Sequence, residues 1–425
     1  MSAPSPPNVA VRPQIALHDL RPIELPRPGD PSPVRRWSRC LVVVPLVGAV
    51  LAGSTGLRVD VDGVTAERRA AAGPSDAPGV PRGAPSAPRT GRPEPSPPRR
   101  LTLAFSGDVL VHQAVWELAA EHGGGDPAFD FRPMFAAIRP VVSRADVAIC
   151  HLETPLSPDD ADLASYPLFE TPHELASAIA WAGYDGCSTA SNHSLDGGTD
   201  GVRATLRRLD RAGLDHAGTA RTPREATRIT TYEVDGAVIA HLSATWGFNG
   251  FTPDEPWLAN RIDVPALIAD ARRARRAGAD LVVVSLHWGV EYTHEPTAWQ
   301  VETAELLTRS PSIDLLVGHH AHVVQPIDRV HGTWVAYGLG NHLSGMTSSL
   351  GTDAVRDGVV LVAVADRDGD RWEIERVRAV PTRVEEGTWR ILPIPRMLRR
   401  ADLDTAIRAE LIASRDRTDE VVGAS

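Results

Sequence analysis

Lysine is missing from this sequence: all 44 basic residues among the 425 are arginine. The bias points mainly to coding preference, although guanidinium groups also suit carboxylate and phosphate contacts. Cysteine is scarce, with three residues, a number that fits no disulfide framework. Cys40 lies in an apolar run, while Cys150 and Cys187 sit in strand-like segments and read as buried thiols. No G-x-S-x-G elbow occurs, which disfavours a nucleophilic serine hydrolase. No sequence repeat is visible. A basic stripe is also lacking: the net charge is −10, and residues 1–100, with 14 Arg against 8 Asp and Glu, are the basic part. The acidic remainder offers nothing for phosphate counterion release and so argues against a duplex nucleic-acid binder. A cation-dependent site stays open.

What is present begins with the grammar of export. Arg35, Arg36 and Arg39 precede the uncharged run Cys40 to Leu57, and positive charge on that side keeps it in the cytoplasm. Residues 1–39 are therefore expected to be cytoplasmic and disordered, and residues 40–57 to be a signal peptide or a single signal anchor. Ser54 stands where a lipidated Cys would have to stand, so lipid anchoring at "LAGS" is disfavoured. The Arg35-Arg36 pair is a weak twin-arginine match. From residue 58 to residue 100 the chain reads as a linker, with nine prolines between Ala71 and Arg100. Such a stretch cannot bury enough surface to fold and acts as a spacer. The protein is expected in the cell membrane with an extracytoplasmic domain, or secreted after signal cleavage.

At Leu101 short apolar strands begin to alternate with amphipathic helices. Leu101 to Phe105, Asp146 to Cys150, Tyr184 to Ala190, Val238 to Ala244, Leu281 to Leu286 and Ile313 to Gly318 read as strands. Pro172 to Ala182, Asp200 to Ala212, Val264 to Ala277 and Ala298 to Arg309 read as helices, three of them closed by Gly183, Gly213 and Gly278. Hairpin-like strands follow, with a turn at Asp368-Gly369. The pattern predicts an α/β domain over 101–392 in which two sheets are covered by helices, then a C-terminal charged helix and tail over 393–425.

Ligands in α/β folds collect where strands end, and five strand exits here carry metal-type or acid/base residues. They are Asp108 and His112; His151 and Glu153; Asn192, His193 and Asp196; His287 and Glu291; and His319, His320 and His322. Taken singly, each has a bland alternative: Asp108 as a helix cap, Asn192 and Asp196 as turn residues. His18, His122, His173, His216, His241 and His331 read as ordinary core or surface histidines. Five exits with the same chemistry favour a common site. Carboxylates, an amide oxygen and imidazoles together suit divalent Mn, Fe or Zn, and no cysteine is placed to favour a closed zinc site. Two ions about 3.5–4 Å apart, bridged by one carboxylate, would activate water and clamp a phosphoryl group. Asn192 would bind a metal, leaving His193 to protonate the leaving group with Asp196 as its orienter.

The ordered motifs Gly-Asp, Leu-Glu-Thr-Pro, Asn-His-x-x-Asp-x-Gly, His-Trp-Gly-x-Glu-Tyr, His-x-His-Val-Val-Gln and Gly-Leu-Gly-Asn resemble those of the CapA family. These are poly-γ-glutamate capsule biosynthesis proteins, similar in fold to calcineurin-like metallophosphatases. The likeness runs from about Leu101 to at least Asn341. It implies a four-layer α/β/β/α sandwich, a metal site of Asp108, Glu153, Asn192, His287, His320 and His322, and His193 as acid. His112, His151, Glu291, His319, Asn341 and His342 are possible additions. His320 and His322 are expected on one side of an extended exit, with His319 out of phase. Three departures stand out. His151 replaces the usual Asn, His342 replaces an aromatic residue and adds an imidazole near the site, and the first-motif His of metallophosphatases is missing while Glu153 stands for a bridging Asp. Three functions follow from the resemblance. One is a membrane-tethered protein acting on poly-γ-glutamate or a related acidic envelope polymer. Another is a phosphoesterase for a small or lipid-linked phosphate. The third is a non-catalytic, polymer-binding partner of a membrane-bound synthase.

Overall fold

The computed structural model describes residues 100–124, 128–369 and 371–423. The expected signal segment and linker lie outside the described residues. Among the described residues no helix is long and apolar enough to cross a membrane.

Strands β1 (Arg100–Leu110), β2 (Val147–Leu152), β3 (Gly186–Ser188) and β4 (Asp215–Ala217) run parallel. A second sheet holds β5 (Thr230–Val234), β6 (Ala237–Thr245), β7 (Leu281–His287), β8 (Leu315–His319), β9 (Ile327–Val330) and β10 (Thr333–Ala336), in the order β5-β6-β7-β8-β10-β9. The chain then returns to the first sheet through β11 (Asn341–Ser344), β12 (Asp357–Asp368), β13 (Arg371–Val384) and β14 (Ile391–Pro393). The order there is β14-β13-β12-β1-β2-β3-β4, with β11 parallel to the end of β1.

Period-two alternation explains the layers. In β1, Leu101, Leu103 and Phe105 join Ile239, Val283 and Val317 in a core between the two sheets. Ala104, with Ala148 and Cys150 of β2, faces the opposite way, onto helices Gln113–Gly123, Glu174–Ala182 and Gly198–Ala212. Helices Val264–Arg276 and Ala298–Thr308 cover the other face of the second sheet through Leu267, Ala271, Ala304 and Leu307. The result is the expected α/β/β/α sandwich, and each fully buried Leu, Ile or Phe stabilises it by roughly 1.5–3 kcal/mol.

The expectation for the cysteines is corrected. Cys150 and Cys187 form a disulfide, their Cα atoms 4.4 Å apart. They are direct register partners on β2 and β3, a placement that only the parallel pairing creates. At the C-terminus, helix Thr405–Val422 docks through Leu411, Ser414 and Thr418. Buried Asp357 of β12 accepts hydrogen bonds from Ser414 Oγ (2.5 Å), Arg417 Nε (2.8 Å) and Arg383 Nη1 (2.7 Å), tying that helix to the first sheet.

Candidate metal centre

The carboxyl ends of the parallel strands in both sheets converge on one buried cluster. Asp108 lies near the end of β1, where Gly107 permits a close pass by β11: a Cβ on Gly107 would sit 1.9 Å from the Gly340 oxygen. Asp108 N donates to that same oxygen at 2.9 Å. Glu153 directly follows β2, His287 ends β7 and His319 ends β8. Asn192 and His193 leave β3 in a turn fixed by Ser191, whose hydroxyl donates to Glu153 O at 2.7 Å and accepts from His193 N at 3.1 Å.

Potential ligand atoms of Asp108, His151, Glu153 and His287 lie within 4.8 Å of one another, as do those of Glu153, His320 and His322. All six residues are buried, and Glu153 belongs to both groups. Its Oε1 lies 3.8 Å from His287 Nε2 and 3.7 Å from His322 Nε2. Asn192 Oδ1 is 2.7 Å from His287 Nε2, and its Nδ2 donates to Asn249 Oδ1 at 3.2 Å, which turns the oxygen inward.

These residues fit a divalent cation. Both Glu153 oxygens, Asp108 Oδ1 and His320 Nδ1 are buried without a hydrogen-bond partner, a costly state for ionisable groups unless something binds them. Burial pushes the Glu153 carboxyl well above its ordinary range, and it pushes His151 and His287 well below theirs and His320 down to about 3. Those imidazoles are neutral, the form a metal requires. For Asp108, burial works upward, but the His319 and His322 rings, 3.3 and 3.2 Å from its oxygens, outweigh it and hold the carboxyl well below its usual range. For His322, burial works downward, yet sharing a buried site with the Glu153 and Asp108 carboxyls raises it to about 10. A cation would displace that proton.

The histidine segment is not the extended exit anticipated. His320 and His322 have φ of 87° and 56°, so they lie in the left-handed region, which only a constrained turn imposes on such residues. His320 N donates to Asp108 Oδ2 at 3.1 Å, and the His320 and His322 rings still converge, 6.0 Å apart. His319 Nδ1 is 3.3 Å from Asp108 Oδ1, and its ring stacks on His151 at 4.0 Å.

His193 forms a dyad with Asp196: Nδ1 to Oδ2 is 2.7 Å, and Asp196 Oδ2 also accepts from Phe169 N at 2.8 Å. The Phe169 ring meets His193 edge-on at 4.7 Å and His112 at 5.3 Å. His112 and Glu291 fall outside the two ligand groups. Asn341 supports the cluster through Oδ1, 3.1 Å from His322 Nδ1, while its Nδ2 donates to Val355 O at 2.8 Å.

His342 is a further correction. It alternates away from Asn341 into the helix-facing core, with Nε2 2.7 Å from Tyr184 Oη and burial pushing it down to about 3. Ser188 and Asn249, which the sequence did not single out, touch His151 and Asn192; a lone Ser or Asn carries no periodic signal. Trp246 was also missed, although it follows a sixth strand exit, at β6, with its ring 5.6 Å from that of His320.

The sequence model of a family described as "Bacterial capsule synthesis protein PGA_cap" matches residues 102–346. The chain belongs to this family. Its motifs from Asp108 to Asn341 all fall inside the matched region. "PGA biosynthesis protein CapA" of Bacillus subtilis (strain 168) is 29% identical over 256 residues, covering 57% of this chain and 62% of that protein. "Capsule biosynthesis protein CapA" of Bacillus anthracis is 28% identical over 253 residues, covering 57% and 59%. The chain thus spans about three fifths of the length of these curated relatives. Among solved structures, the calcineurin-like phosphoesterase YfkN of Bacillus subtilis is similar at 12% identity and a TM-score of 0.39, covering 76% of this chain and 98% of that one.

Proposed function

We propose that this protein acts outside the cytoplasmic membrane, in making or exporting poly-γ-glutamate or a related acidic envelope polymer, through a metal-dependent hydrolase-type site. Family membership supports the polymer. The observation that carries the site is Glu153, buried, unpartnered and shared by two ligand groups. The Cys150–Cys187 disulfide supports an oxidising compartment, in keeping with the uncharged run after Arg39. Retention of that run as an anchor would keep the domain near a membrane-bound synthase.

Asp108, Glu153, Asn192, His287, His320 and His322 would hold the divalent ions, Mn, Fe or Zn by donor type. When bound, such an ion lowers the pKa of a coordinated water and polarises the bond to be cut. Asn192 presents its amide oxygen because Asn249 occupies its nitrogen. His193, held by Asp196 through Nδ1, keeps Nε2 for delivering a proton to the leaving group.

A phosphoesterase acting on a small or lipid-linked phosphate is the second reading, favoured by the His193–Asp196 dyad beside the acidic and imidazole cluster. The deciding experiment incubates full-length, Mn2+-loaded protein with poly-γ-glutamate and, separately, with bis(p-nitrophenyl) phosphate. Polymer cleavage that falls about 10²–10⁴-fold in His193→Ala supports the first reading. Cleavage of the phosphodiester alone supports the second. Metal binding with no turnover of either contradicts both and leaves the non-catalytic subunit.

A further inference from the structure

His151 lies behind the ligand His287, its two ring nitrogens meeting Ser188 Oγ on one side and His287 Nδ1 on the other. We propose that His151 is a positioning residue: with Ser188 it fixes which nitrogen of His287 carries the proton, so that the Nε2 lone pair of His287 faces the metal pocket. This rests on the metal-centre reading above.

The assignment follows from the donors available. Ser188 Oγ donates its one proton to Cys150 O at 3.3 Å, so toward His151 it can only accept. His151 Nδ1 lies 2.8 Å from that oxygen and therefore carries the hydrogen. A ligating His287 must offer its Nε2 lone pair and so keep its hydrogen on Nδ1, which makes His151 Nε2 the acceptor across 2.9 Å. The Nε2 of His287 then faces Asn192 Oδ1 at 2.7 Å and Glu153 Oε1 at 3.8 Å. Three acceptor atoms then face one another, an arrangement that a cation resolves and a proton on Nε2 would otherwise have to. In metal sites, the hydrogen bond on the far ring nitrogen commonly sets the tautomer and basicity of a ligating histidine.

The surroundings hold the relay rigid. The His319 ring stacks on His151 at 4.0 Å and 14°. Cys150 and Cys187, joined by the disulfide, immediately precede His151 and Ser188 on β2 and β3. A single bridge therefore fixes the two strands that present both residues.

The test is an equilibrium Mn2+ titration of the full-length protein, unaltered and as His151→Gln, His151→Leu and Ser188→Ala, with thermal unfolding of each as a check on folding. Gln keeps an acceptor near the Nε2 position, whereas Leu keeps only the bulk. His151→Leu is expected to weaken Mn2+ binding about 10–100-fold. His151→Gln should bind close to the unaltered protein, and Ser188→Ala should fall between. Binding by His151→Leu equal to the unaltered protein overturns the proposal while leaving the metal centre standing. Loss in His151→Gln as great as in His151→Leu, with none in Ser188→Ala, also overturns it by making His151 a ligand. No Mn2+ binding by the unaltered protein overturns the metal-centre reading itself.

Discussion

At the scale of the residue, His322 shows how one position answers to both proton and metal. In the metal-free protein its pKa is raised to about 10 from an ordinary 6.5. The stabilisation it contributes is therefore complete below about pH 6.5 and is lost as pH rises through about 10. A metal must displace this proton, so Mn2+ affinity is expected to increase between pH 7 and pH 9. Calorimetric titrations in buffers of different ionisation enthalpy should record a proton released on binding; pH-independent binding without proton release would show that His322 is not a ligand. Residues such as Asp108, His287 and His322 were legible in the sequence because each stands at the polar end of an apolar strand. His342 was misplaced for the same reason: its neighbour Asn341 turns toward the cluster, but alternation sends His342 to Tyr184. Ser188 was invisible because its role depends on a hydrogen bond across strands that only pairing reveals.

At the scale of the element, the strand exits were the readable feature and the cross-connections were not. Counting three cysteines suggested free thiols, yet the parallel register of β2 and β3 sets Cys150 against Cys187. Replacing both with serine is expected to reduce unfolding free energy by about 2–5 kcal/mol, measured by urea denaturation under oxidising conditions. Reducing agent should then destabilise the unaltered protein by a similar amount and leave the double variant unchanged. Equal stability of the two proteins would mean that the bridge does not form in solution. The His320–His322 turn was likewise read as extended because period-two spacing is what the residues alone suggest. The left-handed φ values set the His320 amide on Asp108 while bringing the His320 and His322 rings to Glu153. Helix boundaries fared better: Gly183 and Gly213 end their helices at φ of 99° and 76°, as residues without a Cβ readily do.

At the scale of the whole molecule, two facing sheets bring together side chains from distant parts of the chain. Asp108 and Asn341 meet as register partners on β1 and β11, while β7 and β8 deliver histidines from the opposite sheet. Glu153 is the point where the two ligand groups join, so the account stands or falls with it. The most direct measurement is the metal content of the full-length protein, stripped with chelator, equilibrated with Mn2+ and freed of excess by dialysis, beside the same preparation of Glu153→Gln. The account predicts about two ions per chain in the unaltered protein and a marked loss of both in Glu153→Gln. An unaltered protein that retains no metal, or a Glu153→Gln variant that retains as much as the original, would contradict it.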